Sequence, residues 1–388
     1  MTDTFDLATL DEAALDLHYH EIVAQLRAMA PVVWVPCLNA WLVVARGAAV
    51  AAMRDAVTYT VDDPRFSTAQ VVGTSMLSLD GAEHRRHREP FASRFRPADV
   101  VRRDTDHIER TARRLVEDLS PRGTAELRRK LAGPLAVAVA AGGIGLEGVP
   151  VEELLGWYDR LVAAVGEVSQ GKPVTDDARR AHASLAAELL RTLDQPGSWV
   201  AAATSNLTTE EAVANAAVFL FGGIETSEGM TANALHHLLA NPAQLAQVAA
   251  DRNLVDAAVE ESLRLEPAVV RVDRYATADA TLAGVDIRKG DPVFISLAAA
   301  NRDPAHFTDP DRYDVNRPQA RAHLAFAHGP HLCIGATLAR IQTRAAINAV
   351  LDALPGLRLS GAVDTCGTIF RKPVALHATW PTRCPPGC

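Results

Sequence analysis

The sequence predicts a mainly α-helical protein with a minor β component. Most of the chain has helical composition, in segments 11–30, 47–55, 81–95, 105–120, 128–143, 151–168, 176–195, 209–240, 243–249, 252–265 and 334–353. Only two short runs, Trp41-Leu-Val-Val-Ala45 and Val293-Phe-Ile-Ser-Leu297, have marked strand character. No internal repeat or low-complexity linker divides the chain, so residues 1–388 are expected to form one α-rich domain.

Taken in order, the apolar runs of the first thirty residues are interrupted by Asp3, Asp6, Asp11, Glu12 and Asp16. These acids exclude a signal peptide and an apolar span at the start of the chain. The segments at 151–168 and 176–195 are separated by the break Ser169-Gln-Gly-Lys-Pro173. The segment from 209 carries a capping-box pattern, with Thr208 followed three residues later by Glu211, and it stops at Asn241-Pro242. At 1.5 Å per residue its helical stretch is roughly 46 Å long, far beyond the ordinary globular helix. Its middle holds Gly222-Gly223, which weakens the helix, followed by Glu225, Thr226 and Ser227 in apolar surroundings. A buried acid and hydroxyl beside a weakened turn are costly and need a reason. The plain reason is a packing kink with Glu225 in an ion pair.

The net charge of −8, from 47 acidic and 39 basic residues, excludes the overall basic field of a nucleic-acid-binding protein. A cytoplasmic protein without a membrane segment is expected. Five cysteines at 37, 333, 366, 384 and 388 show no regular spacing, which argues against a disulfide framework. Cys384 and Cys388 flank Pro-Pro-Gly and are expected in a frayed tail.

The strongest chemical signal is Phe326-Ala-His-Gly-Pro-His-Leu-Cys-Ile-Gly335, of the form F-x-x-G-x-x-x-C-x-G. At average residue usage these four positions coincide by chance in about one such chain in a thousand. Gly329 and Pro330 set a turn, and a helix from Ile334 to Leu354 is stopped by Pro355. Cys333 is thus placed at a helix N-terminus, where the dipole and free N–H groups favour a thiolate. Gly335 and Ala336 leave room for a flat ligand against the backbone. A thiolate so placed suits axial ligation of haem iron.

These blocks together resemble a cytochrome P450 of the soluble bacterial type, a haem-thiolate monooxygenase. The likeness runs along nearly the whole chain. Asp80-Gly-Ala-Glu-His-Arg-Arg-His-Arg88 resembles the family's H-x-x-x-R helix, and Gly222-Gly-Ile-Glu-Thr226 its oxygen-activating block. Glu261-Ser-Leu-Arg264 with Glu266-Pro267 matches the E-x-x-R block, and 301–314 the loop before the ligand cysteine. The resemblance implies the family's fold, with haem b (iron protoporphyrin IX) between the long central helix and the Cys-ligand helix. It makes Cys333 the metal ligand, with Phe326 shielding the sulfur and Gly335 allowing close packing. His84, Arg88, Arg274 and His331 would contact the haem propionates, and Gly222, with Gly223, would open the helix above the iron. Glu225 and Thr226 would form a catalytic acid–alcohol pair that brings protons to dioxygen. Glu261 and Arg264 would be a structural pair bracing the loop, joined by Arg312.

Three positions depart from the commoner bacterial pattern: Ala327 for Gly, Gly222 for Ala, and Ser227 for a second Thr. Only a dozen residues separate Phe66-Ser67 from Asp80, a short cover that implies an open pocket and a bulky, extended or carrier-bound substrate. Val71, Met76, Leu77, Phe219 and Val270 are candidate lining residues, and 151–168 with 176–195 would complete the lid. The chain contains no flavin or iron–sulfur motif, so a separate ferredoxin or flavodoxin with its reductase would supply electrons to a monomer. A basic docking patch from Arg85, Arg102, Arg103, Arg113, Arg114 and Arg344 is expected. Oxidative coupling or ring formation without oxygen insertion, peroxide-driven oxidation and a haem-free docking module are the alternative functions. Glu225-Thr226 weighs against the peroxide route and Cys333 against the docking module.

Overall fold

The computed structural model describes residues 7–382 apart from 147, 194 and 196–198. Cys384 and Cys388 lie outside the described residues. Cys37, Cys333 and Cys366 are each unbridged.

The expected helices are present, with ends moved by local chemistry. Segment 11–30 divides at His18 into Glu12–Leu17 and Tyr19–Met29. Asp11 caps the first piece, accepting the Ala14 N–H at 2.7 Å. The helix expected from 105 begins instead at Pro97 and runs to Leu119. Proline at the first helical position loses no hydrogen bond there, which explains the earlier start. The segment 128–143 opens with a π turn, Arg128–Ala132, before the helix Gly133–Ile144. The break at 169–173 joins Val151–Ser169 to Asp176–Arg191, with Gly171 at φ 80°.

The two expected strand runs lie side by side. Ala40–Val43 pairs in parallel with Pro292–Ser296, placing Leu42 opposite Phe294. They form the middle of a five-stranded sheet, with Val32–Val35 on one side and Arg271–Ala276, then Tyr59–Thr60, on the other. The remaining strands are two or three residues long and form small hairpins and ladders.

The long central segment organises the core. Its capping box is complete, since Thr208 Oγ1 accepts the Glu211 N–H and the Glu211 carboxylate accepts the Thr208 N–H. Such a cap contributes about 1 kcal/mol. Helix Thr209–Phe221 passes through a π turn at Gly222–Thr226 and continues as Ser227–Ala240. Every residue from 227 to 235 is buried, the condition of a helix surrounded by protein. Leu220, Phe221 and Ile224 belong to one core cluster, and Met230, Leu235 and Leu238 to another. A Cβ on Gly223 would stand 3.0 Å from the Ala140 Cβ, so glycine lets the two helices meet here. Among the described residues no helix is long and apolar enough to cross a membrane.

His237, on the buried part of this helix, exchanges a hydrogen bond with Ser262 Oγ at 3.1 Å. Burial, reinforced by His236, lowers its pKa to about 3. Its folded pKa therefore lies below the unfolded 6.5, and unfolding takes up a proton between these values. Stability is lost as pH falls from 6.5 toward 3, by about 1.4 kcal/mol per pH unit for this group. His237→Gln, which cannot titrate, is expected to flatten the decline in urea midpoint between pH 6.5 and 5. An unchanged slope would show that His237 is charged in the fold.

Candidate active site

A cavity of about 1890 Å³ of empty space, its solvent-open mouth included, lies between the central helix and the loop that precedes Ala336–Ala353. Cys333, Gly335 and Phe326 form its floor; Gly222, Gly223 and Thr226 face it from the π turn. Cys333 is exposed, and the space it is exposed to is this cavity.

The cysteine loop is closed by its own backbone. The Cys333 N–H donates to the Phe326 carbonyl at 2.9 Å, and a Cβ on Gly335 would lie 3.9 Å from the Cys333 sulfur. Gly329 adopts φ 74°, and a Cβ there would fall 2.3 Å from the Met53 carbonyl oxygen. Only glycine fits that turn, which pins the loop to the helix Arg46–Arg54. The helix begins at Ala336, three residues past Cys333. Although open to the cavity, the Cys333 sulfur is otherwise enclosed by protein; this desolvation pushes its thiol up, and the Gly335 N–H, Arg88 and Arg340 recover only part of that. The helix start expected at Ile334 falls instead at Ala336, and burial works against the thiolate that a helix terminus favours.

Ala327 has φ 59°, in the left-handed region. A methyl-bearing residue there carries about 1–2 kcal/mol of strain. Ala327→Gly is expected to raise the urea midpoint by up to about 1 kcal/mol in stability, after the greater freedom of glycine in the unfolded chain. A lower midpoint would mean that methyl packing against the neighbouring core outweighs the strain.

Four nitrogen-bearing side chains converge at one end of the cavity. His84 and Arg88 share a face of the helix Gly81–Ala92. The His84 ring lies 4.4 Å from that of His331, and Arg88 donates to the Leu332 carbonyl at 2.7 Å. Arg274, 3% exposed, donates to the Asp273 carbonyl at 2.7 Å. Burial, with His331 and Arg88 nearby, lowers the His84 pKa to about 4; burial lowers that of Arg274 to about 10. One carboxylate serves the group: Asp80 bonds His331 Nε2 at 2.8 Å and also accepts from Thr60 and the Val61 N–H. Asp273 is paired with Arg271. His84 Nε2 and Arg274 Nε are buried with no hydrogen-bond partner among the described residues. Asp80 is a site residue that the sequence reading did not single out, although it opens the quoted block.

At the π turn, Thr226 Oγ1 donates to the Gly222 carbonyl and lines the cavity. Gly222 has nothing within 4 Å of where a Cβ would stand. Glu225 is turned away from the cavity lining. Its Oε2 accepts from Lys372 Nζ at 2.6 Å, and the same Nζ bonds Glu228 at 2.5 Å. Glu228 is flanked by Arg128 and Arg129, and Arg129 bonds the exposed Asp159 at 2.7 Å. The structure thus brings Thr226 to the cavity and holds Glu225 in the ion pair of the plain reading. Lys372 is one of only four lysines and stands in Phe370-Arg371-Lys372-Pro373, a signal not used above.

Glu261 and Arg264 are fully buried and joined by two hydrogen bonds of 2.8 Å. The third member is Arg317, whose Nε meets Glu261 at 3.0 Å. Arg312, expected in that role, supplies its backbone carbonyl to Arg264 and Arg317 instead. Met76, Leu77 and Phe219 line the cavity, whereas Val71 and Val270 are buried in adjoining clusters. The short connection before Asp80 is no bare loop, since Ser67–Val72 forms a helix. Of the proposed basic patch, Arg102, Arg103 and Arg344 are paired with Asp99, Asp104 and Asp256. Arg85, Arg113 and Arg114 are exposed.

Among the described residues no three His, Cys, Asp or Glu side chains gather into a metal cluster. A metal at Cys333 would need a group that brings its remaining ligands. The family profile described as Cytochrome P450 matches residues 177–354. Cytochrome P450 monooxygenase PikC of Streptomyces venezuelae is 34% identical over 325 residues, covering 76% of each chain. The solved structure of CalO2 superposes with a TM-score of 0.86 at 28% identity, covering 97% of this chain and 99% of that one. P450BioI, solved with an acyl carrier protein ligated by hexadec-9Z-enoic acid, gives a TM-score of 0.83 at 28% identity, covering 94% and 98%.

Proposed function

The chain belongs to the cytochrome P450 family, whose enzymes oxidise organic substrates with dioxygen, and from that premise we propose that it oxygenates a bulky or extended apolar metabolite, free or carrier-bound. In this reading residues 1–388 act as one cytoplasmic domain, as a monomer in specialised metabolism, fed with electrons by a ferredoxin or flavodoxin and its reductase. The observation that carries the reading is the cavity itself: one unpaired cysteine on its floor and two orphaned buried nitrogens, His84 Nε2 and Arg274 Nε, at its end.

Those features suit haem b. A dianionic propionate pair gives the converging His84, Arg88, Arg274 and His331 the countercharge that Asp80 alone does not supply. The open space at Gly222 admits a flat ring against the central helix. Bound there, haem would supply dioxygen activation, and the Cys333 sulfur would be the residue that ligates its iron. The chain's own residues do the rest. Thr226 Oγ1, which lines the cavity, would hold a water there by hydrogen bond and pass on its proton. Glu225, one residue away, is oriented by its bond to Lys372. Met76, Leu77, Phe95, Phe219 and Phe370 keep bulk water from the cavity and select an apolar substrate. The acyl carrier complex of P450BioI supports including carrier-bound substrates.

Spectral titration with a panel of long-chain acyl thioesters, macrocycles and small terpenes tests the substrate class. Tight high-spin shifts are expected for the larger members, and shifts confined to small terpenes would contradict it. Thr226→Ala is expected to lower product per electron several-fold and raise hydrogen peroxide. An unchanged product-to-electron ratio would remove Thr226 from proton delivery.

A further inference from the structure

Behind the cysteine loop lies a charged stack that the reading above does not use. The guanidinium carbon of Arg340 sits 4.5 Å from the centroid of the Phe326 ring. Phe326 is the residue whose carbonyl holds the Cys333 N–H, so ring and sulfur belong to one closed loop. Arg340 is held there from the other side by Glu260, with Nε to Oε1 at 2.6 Å and Nη2 to Oε2 at 3.1 Å. Glu260 is buried on the helix Leu254–Leu265, whereas the Arg340 side chain is partly exposed. A planar fork gripped by a buried carboxylate is a fixed charge, unlike an ordinary surface arginine.

The third neighbour is neutral. His323 Nδ1 accepts the Ala325 N–H at 3.1 Å, so its proton sits on Nε2 and is donated to Glu260 at 3.0 Å. The cluster therefore holds one positive charge on the ring face and one negative charge behind it. Both act on any charge that accumulates at the Cys333 sulfur.

We propose that Arg340, clamped by Glu260 against the Phe326 ring, is a positioning residue that sets the reduction potential of the group ligated by Cys333. The inference rests on the haem-thiolate reading of the site. The measured step is uptake of one electron by ferric haem from mediator dyes equilibrated with dithionite, with no other bond made or broken. A positive charge beside the thiolate favours the reduced state, and the carboxylate opposes it.

The test is the equilibrium potential of three variants of the haem-loaded protein, measured without any protein redox partner. Arg340→Met leaves Glu260 unopposed and is expected to reduce the one-electron equilibrium constant about tenfold, ~59 mV toward negative potential. Glu260→Gln leaves Arg340 unopposed and is expected to move the potential the other way. Arg340→Lys keeps the charge and is expected to stay near the parent. Opposite signs from two variants that break the same ion pair distinguish a charge effect from loss of structure, which would move both alike. Shifts of the same sign, or none, would overturn the proposal. If Arg340→Met does not retain haem, the sign for Glu260→Gln alone still decides it. Loss of the haem-thiolate spectrum in the parent protein would instead overturn the reading beneath.

Discussion

Glu261→Gln is expected to destabilise the fold by about 3–5 kcal/mol, the usual cost of removing one partner from a buried ion pair. The carboxylate is the shared ion-pair partner of two guanidinium groups, Arg264 and Arg317. With its charge gone, both would remain inside the protein uncompensated. Arg264 also donates to the carbonyls of Asn301, Pro310 and Arg312, and Arg317 to those of Thr308, Asp309 and Arg312. The pair therefore organises the irregular segment 301–317 that leads into the cysteine loop. A loss of this size is a large part of ordinary stability. Urea unfolding of the purified variant, or its soluble yield if it cannot be purified, measures the effect. A change under about 1 kcal/mol would mean the network behaves like an exposed pair.

Cys333→Ala is expected to reduce product formation to background. No other described side chain on the cavity floor offers a soft anionic ligand, and His331 Nε2 is already bonded to Asp80. The fold is expected to survive, because the sulfur faces the cavity and the loop is held by the Cys333 N–H and by Gly329. Far-ultraviolet circular dichroism close to the parent, together with absent turnover, is the expected pair of results. Turnover above one tenth of the parent would place the metal ligand elsewhere.

The parts of this architecture that could be read in advance are those set by local pattern. The capping box at Thr208, the stop at Asn241-Pro242 and the break before Pro173 depend on neighbouring residues and are found where expected. Gly222-Gly223 signalled a weakened helix, but not that the weakening takes the form of a π turn in which the Thr226 hydroxyl meets the Gly222 carbonyl. Strands of two or three residues carry too little pattern to be seen, so most of the small hairpins were missed. The strand Arg271–Ala276 also escaped, its charges at Arg271, Asp273 and Arg274 masking strand character, and the other misses are long-range. Lys372 reaches Glu225 across 147 positions, and Arg317 rather than Arg312 meets Glu261 because the loop turns its side chain inward. Charge composition names candidates for such pairs but cannot choose among them. Ala327 was visible as a departure from the family pattern, and its left-handed backbone gives that departure a physical cost.

In the proposed function the cavity holds haem through the Cys333 thiolate. The most direct test is the absorption spectrum of the purified protein, reduced with dithionite and exposed to carbon monoxide. The strongly red-shifted Soret band of thiolate-ligated haem is expected. A haem spectrum without that shift, or protein that takes up no haem when supplemented, would contradict it.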